Sequence, residues 1–331
     1  MATTVRKLKT REPDIDPRVP RLGFKYVHRT IHGMQDWEFY DACRESMANL
    51  LVEGPTGPGK TSSFMGYAES RGLPFLSVPC SVAISTEQLM GSKQFGDSGT
   101  FWSDGTITAM FRDGGVLLLN EYNMMLDRLG AILFSVLDNR RELILMDNDN
   151  EVVRAHRPTS RDGVTCWCDL DPEDCKQRWL LIAADMNPDY RGTRPLNEAN
   201  RNRFAVKLWW DYDHEVEKSL IRSSTLLDDI AANIRRQVGS HYTQPVSTNM
   251  LQEFEWFAIK FGLDAAIENF SNAFPQAERA AIVNVFGANR SQLETELRLI
   301  KIEIDGTDVA DAVHAFDLGE EGVDWIQAQE D

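Results

Sequence analysis

The stretch GPTGPGKT, comprising Gly54, Pro55, Thr56, Gly57, Pro58, Gly59, Lys60 and Thr61, fits the phosphate-binding pattern G-x-x-x-x-G-K-[ST]. The residue types suit that chemistry. Glycines let backbone N–H groups turn toward phosphate oxygens, and a following helix N-terminus adds a favourable dipole. Lys60 would reach the β- and γ-phosphates, and the Thr61 hydroxyl would ligate magnesium. A chance Gly-Pro turn accounts for the eight residues but not for the apolar run before them and the helical stretch after them. ATP or GTP with Mg2+ is the expected ligand.

A second element lies downstream, where GGVLLLNE ends in Asn120 and Glu121. In phosphoryl-transfer sites of this kind the first acid of such a pair holds magnesium and the second orients the attacking water. Glu121 can serve as that base. Asn120 can accept a hydrogen bond from a magnesium-bound water through its amide oxygen, but it lacks the charge that would strengthen the contact. Weaker metal affinity, not its loss, is expected. Further on, AADMNP places Asn187 at a strand tip, where its amide could contact the γ-phosphate and the attacking water. In NEANRNRF, Arg201 and Arg203 precede the strand AVKLWW, where an arginine can reach the nucleotide of a neighbouring subunit.

These residues need a scaffold, and the sequence supplies one. ANLLVEG, LPFLSVPC, GGVLLLNE and WLLIAADMNP read as short strands. The continuous apolar character of GVLLL is that of a strand covered on both faces, so a parallel sheet is expected. Between Asn123 and Asn139 the apolar residues Met125, Leu129, Ile132, Leu133 and Val136 mark one helix face. RELILM and EVVRAH flank the turn-rich DNDN and read as a hairpin over 141–156. From about residue 213 the β signal fades and successive helices follow. The expected fold class is α/β, with helices flanking a parallel sheet and a smaller helical domain after it. The organisation read from these signals is a basic segment 1–24, a nucleotide-binding core 25–212, a helical lid 213–288 and an acidic tail 289–331.

Composition narrows the function classes. A chain of 331 residues is long enough for a nucleotide-binding core and one smaller domain. No apolar run approaches the roughly 20 residues that span a bilayer, and the polar start lacks a signal-peptide core, so the reading is a cytoplasmic protein without membrane insertion. The net charge of −16 opposes general attraction to nucleic acid. Residues 1–30 hold eight Lys or Arg against three acids, whereas 303–331 hold ten Asp or Glu and no Lys or Arg. Both blocks read first as solvated tails and second as docking segments. Cys166, Cys168 and Cys175, with His156, could offer four ligands to zinc. Their spacing lacks paired C-x-x-C knuckles, so an ordinary polar loop over 157–178 is the preferred reading.

Taken together, these motifs resemble the AAA+ ATPases, and among them the MoxR-like branch with the CbbQ, NirQ and GvpN type proteins, over roughly residues 25–275. STEQLMGS looks like the family's segment before the insertion in its second helix, FWSDGTITAMFRDGGVLLLNEYNMM looks like the run from that insertion into the second nucleotide element, and MNPDYRGTRPLNEANRNRF is similar to the run from sensor 1 to the arginine finger. The resemblance implies that Lys60 and Thr61 bind phosphate and magnesium, Glu121 is the catalytic glutamate, Asn187 is sensor 1, and Arg203 is the finger with Arg201 in support. It also implies a ring, commonly a hexamer, that remodels a protein client, often beside a partner with a von Willebrand factor A domain. Phe101 and Trp102, near the insertion, would face such a ring's pore or else pack on the domain.

Three departures stand out: Asn120 in place of Asp, Asn249 where a sensor 2 arginine is usual, and the added 157–178 loop. The first two favour an alternative, a nucleotide-dependent scaffold with little hydrolysis. A nucleic-acid motor like McrB is a third reading, disfavoured by the acidic balance.

Overall fold

The computed structural model describes residues 16–306, apart from 25, 81–83, 97–98, 126, 158–167, 169, 189–195 and 223. The basic start through residue 15 and the acidic end from residue 307 lie outside the described residues. Along the chain, a two-residue hairpin (β1, Thr30–Ile31; β2, Met34–Gln35) leads into α1 (Asp36–Glu45) and the buried strand β3 (Leu50–Glu53). The GPTGPGKT turn joins β3 to α2 (Lys60–Arg71), followed by β4 (Phe75–Pro79) and α3 (Thr86–Met90). Ser85 and Gln88 cap α3 reciprocally, each side chain accepting the other residue's backbone N–H.

The expected insertion is an antiparallel hairpin, β5 (Gly91–Gly96) with β6 (Gly99–Asp104), not an open loop. Next come α4 (Thr106–Asp113), β7 (Gly115–Asn120) and, after a single 3-10 turn, α5 (Asp127–Leu137). The second hairpin falls within its expected range, as β8 (Glu142–Leu145) and β9 (Glu151–Arg154). After α6 (Pro172–Gln177), β10 (Leu180–Met186) is buried along its whole length. The rest is α7 (Glu198–Arg201), β11 (Val206–Trp209) and six helices: α8 (His214–Leu220), α9 (Ser224–Arg236), α10 (Thr248–Phe261), α11 (Leu263–Asn272), α12 (Gln276–Ala288) and α13 (Arg290–Gly306). The first part of the segment read from composition as an acidic tail is therefore helical.

Two compact units result. One comprises residues 1–21, 36–53 and 61–209; the other comprises 22–35, 54–60 and 210–331. The first unit holds a five-stranded parallel sheet in the order β11-β3-β10-β7-β4. Its apolar strands are buried because helices cover both faces, and the core joins Leu117, Leu119, Ile182 and Ala184 to Phe111, Leu133 and Phe204. The second unit has its own core of helix-borne residues, among them Leu227, Ile234, Phe254, Phe270 and Phe286. Phe286 stacks on Phe254 at 4.8 Å and meets the edge of Phe270 at 5.0 Å. The sequence placed the change from core to helical domain at 212; the compact units change at 209 and assign the glycine-rich turn, 54–60, to the helical unit. Among the described residues, no helix is long and apolar enough to cross a membrane.

Candidate nucleotide site

The GPTGPGKT turn is tightly braced. A Cβ on Gly54 would lie 2.0 Å from the Trp210 carbonyl oxygen, so only glycine fits there. Two carbonyls of the turn are held by donors from outside it. Tyr212 Oη donates to Thr56 O at 2.7 Å, while Trp210 Nε1 and the Arg29 guanidinium donate to Pro58 O at 3.2 and 2.7 Å. In a trans peptide the C=O and N–H point in opposite directions. Fixing Thr56 O and Pro58 O therefore directs the Gly57 and Gly59 N–H groups to the other side of the turn. Arg29 also stacks over the Trp210 ring at 4.8 Å, which holds the brace together.

Gly57 and Gly59 have φ of 80° and 87°, the left-handed region that glycine enters without penalty. A Cβ at Gly59 would meet nothing within 4 Å, whereas one at Gly57 would lie 2.6 Å from Ser247 Cβ. Lys60 Nζ donates to the Gly54 and Pro55 carbonyls at 2.8 and 2.5 Å. The turn thus gathers inward-directed amides, an ammonium group and the start of a twelve-residue helix, a donor set suited to a polyphosphate. Gly57→Ala is expected to weaken ATP binding about tenfold, because the new methyl meets Ser247 and strains a left-handed backbone. Titration of a fluorescent ATP analogue checks this.

Tyr212 is itself buttressed. The Arg235 guanidinium lies 3.7 Å from the Tyr212 ring centroid and makes paired hydrogen bonds to Glu217 at 2.7 and 2.6 Å. Arg235 Nε donates to Val246 O at 2.8 Å, and the Thr248 hydroxyl donates to Glu217 at 2.6 Å. Glu217 is 1% exposed. Burial pushes the Tyr212 phenol above its ordinary range, which keeps it a proton donor to the loop. Asn249, the position matched to sensor 2, is exposed on the first turn of α10, after Ser247 has capped that helix.

In the sheet unit, strand register sets the second group of residues. Leu119 pairs with Ala184, and Ala184 with Leu51, so Asn120, Asp185 and Val52 share the next level across the sheet. Asn120, Glu121 and Asn187 accordingly gather at the C-terminal edge of the parallel strands, the edge where β3 ends at Glu53. This is where ligands meet open α/β sheets. Glu121 is exposed and adopts left-handed backbone angles, φ 55° and ψ 47°. Its N–H is held by the buried Asp185 carboxylate at 2.9 Å. That bond secures a conformation that costs a non-glycine residue about 1–2 kcal/mol. Asn123 Nδ2 donates to Asn187 O at 2.9 Å and so ties the two strand tips together.

The two arginines are engaged within their own unit. Arg201 pairs with Glu53 at 2.5 Å, and Arg203 pairs with Asp138 at 3.1 Å while stacking over Phe134 at 5.1 Å. Both remain partly exposed, with side-chain exposures of 45% and 33%. Phe101 and Trp102 part company: Phe101 is exposed, whereas Trp102 packs on the core and donates to Asp104 at 2.9 Å. Neighbours on a strand point to opposite faces, which separates them. Phe95, on the partner strand, is 89% exposed. His156, Cys168 and Cys175 come together elsewhere in the sheet unit, while Cys166 lies outside the described residues.

The sequence had not singled out Asp185, Arg29, Trp210, Tyr212 or Arg235. Asp185 carried one usable signal, an acid inside the otherwise apolar strand LLIAADM. The braces carried none, since they join positions far apart in the chain.

The comparisons with known proteins bear on this arrangement. Residues 49–204 match the AAA domain of the dynein-related subfamily. The matched span runs from the residue before β3 to the one after Arg203, and so takes in the sheet through β10, the turn, Asn120, Glu121, Asn187 and both arginines. The chain is 33% identical over 187 residues to an uncharacterized protein of Staphylococcus aureus strain NCTC 8325, covering 55% of this chain and 62% of that one. An uncharacterized protein of Staphylococcus epidermidis strain ATCC 35984 matches with the same identity and coverage. The chain thus spans about three fifths of the length of these relatives. Among solved structures, a Cytophaga hutchinsonii protein aligns over 79% of this chain and 87% of its own, with 17% identity and a TM-score of 0.40. NtrX from Brucella abortus aligns over 76% of this chain and 51% of its own, with 16% identity and a TM-score of 0.39.

Proposed function

We propose that this protein is an AAA+ ATPase of the MoxR-like type that assembles into a ring and remodels a protein client. The observation that carries the reading is the gathering of the Asn120, Glu121 and Asn187 tips at the C-terminal edge of the sheet, the edge at which β3 runs on into the GPTGPGKT turn. Gly54 to Thr61 bind the phosphates of ATP, and Thr61 with Asn120 holds the magnesium shell. Bound Mg-ATP supplies the transferable γ-phosphoryl group and the charge neutralisation that phosphoryl transfer needs. Glu121 accepts the proton of the attacking water, and Asn187 orients that water through its amide. Arg203, with Arg201, exchanges its internal acidic partner for the nucleotide of a neighbouring subunit when the ring forms. The exposed Phe95 and Phe101 on one hairpin and Ile144 and Met146 near the other support contact with an extended client.

Assembly tests this reading. ATP with magnesium is expected to shift the purified protein from small species to a closed ring in sedimentation or mass photometry, and Arg203→Ala to leave ATP binding intact but suppress turnover. A protein that stays monomeric with ATP bound contradicts the ring. A partner with a von Willebrand factor A domain fits the same reading, and binding to nucleic acid does not.

Asn120 favours one second reading, a switch that binds ATP to hold an assembly and turns it over slowly. Asn120→Asp is expected to lower the magnesium concentration needed for half-maximal ATP binding on the order of tenfold, because a full negative charge faces the metal's water shell. Magnesium titrations of both proteins measure this.

A further inference from the structure

We propose that His156, Cys168 and Cys175 hold a zinc ion when the cysteines of this protein are reduced. The ligand atoms of the three side chains all lie within 4.8 Å of one another, and Cys175 Sγ is 3.9 Å from His156 Nδ1. Tetrahedral zinc, with Zn–S near 2.3 Å and Zn–N near 2.0 Å, places such atoms about 3.5–3.8 Å apart. The Cys175–His156 edge is already close to that length. Cys168 lies at a bend and brings its Sγ within the same 4.8 Å.

The surroundings are built to hold the ligands. Cys175 is fully buried on α6, whose start is capped by the Asp171 side chain with Pro172 at the first position. The Arg44 guanidinium donates to the Lys176, Gln177 and Trp179 carbonyls at 2.8–2.9 Å and fixes the end of that helix. His156 makes a β-bridge with Trp179, just before β10 begins. Two thiolates and a neutral imidazole bring a divalent zinc to zero net charge, which suits a partly buried position. Soft sulfur and imidazole donors select zinc over magnesium or calcium. The site lies at the N-terminal end of β10, away from the edge that carries Asn187, so a zinc there, with water in its fourth position, would tie the end of β9 to the entry of β10.

Cys175 is disulfide-bonded in this structure, so zinc binding follows reduction. A dithiol reductant passes two electrons and two protons to the disulfide, leaving two cysteine thiols and its own disulfide. On binding zinc, Cys168 and Cys175 each release a proton.

The test uses the full chain purified under a thiol or phosphine reductant, with zinc measured by elemental analysis and cobalt substituted for spectroscopy. About one zinc per chain is expected, with a thiolate-to-cobalt charge-transfer band in the cobalt form. Cys168→Ser and His156→Ala should each weaken zinc retention by at least about tenfold. A reduced wild type that retains no zinc and gives no cobalt–thiolate band overturns the proposal, and so does zinc held equally well by both variants. The wild-type metal content and spectrum decide the question even where a variant folds poorly.

Discussion

Glu121→Gln is expected to lower ATP turnover by about 10²- to 10⁴-fold, the range for loss of a general base, while ATP binding stays intact. The amide keeps the shape of the side chain but cannot accept the water's proton. Backbone placement should survive, because the Glu121 N–H, not its side chain, bonds Asp185. Phosphate release and nucleotide titration on the same preparation separate the two effects. If turnover is unchanged, Glu121 is not the base and another group at the sheet edge must fill that role. Asp185→Asn offers a companion measurement. Its amide oxygen can still accept from the Glu121 N–H without the charge, so a reduced rate with near-normal ATP affinity is the expected signature of a positioning residue.

The second large effect concerns Arg235. Arg235→Ala is expected to destabilise the helical unit by about 3–5 kcal/mol, the usual cost of removing one partner of a buried ion pair. Glu217, 1% exposed beside Arg235, would lose the guanidinium and keep the Thr248 hydroxyl as a donor. Tyr212 would lose the guanidinium lying on its ring, and with it the support for its bond to Thr56 O. ATP affinity should therefore fall along with stability. Urea midpoints measure the first effect and nucleotide titration the second. Adding Glu217→Gln to the variant should restore part of the stability, because the uncompensated buried charge is gone. Equal stability in Arg235→Ala and wild type would show that the network contributes nothing to the brace.

Much of the fold was legible in the sequence because its signals are local. ANLLVEG, GVLLL and WLLIAA are apolar on successive residues, as strands covered on both faces must be, and each became a central strand. The phosphate motif has fixed spacing and required flanks, which made GPTGPGKT readable without a structure. What stayed hidden depends on distant pairing. Nothing local announces that Tyr212 caps Thr56 or that Arg235 meets Glu217 across two helices. The hairpin at 91–104 was not announced as a strand pair, because its residues, glycine-rich and polar, lack an apolar alternation. Once it is known to be a strand pair, the opposite fates of Phe101 and Trp102 follow from the two-residue period. The approach of His156, Cys168 and Cys175 was hidden for a similar reason. Their spacing lacks the knuckle pattern, and the nearness of His156 to Cys175 arises only when β9 and α6 are brought together.

The reading of Asn120 and Glu121 as parts of a working ATPase is tested most directly by steady-state phosphate release from the wild-type protein at saturating ATP. Matched samples contain magnesium or a chelator, and assembly state is checked in each. Magnesium-dependent turnover that disappears with the chelator is the predicted result, and it would make Asn120 a tolerated partner of the metal's water shell. ATP bound and retained unhydrolysed by fully assembled protein in magnesium would contradict it, and would identify the chain as an ATP-held switch.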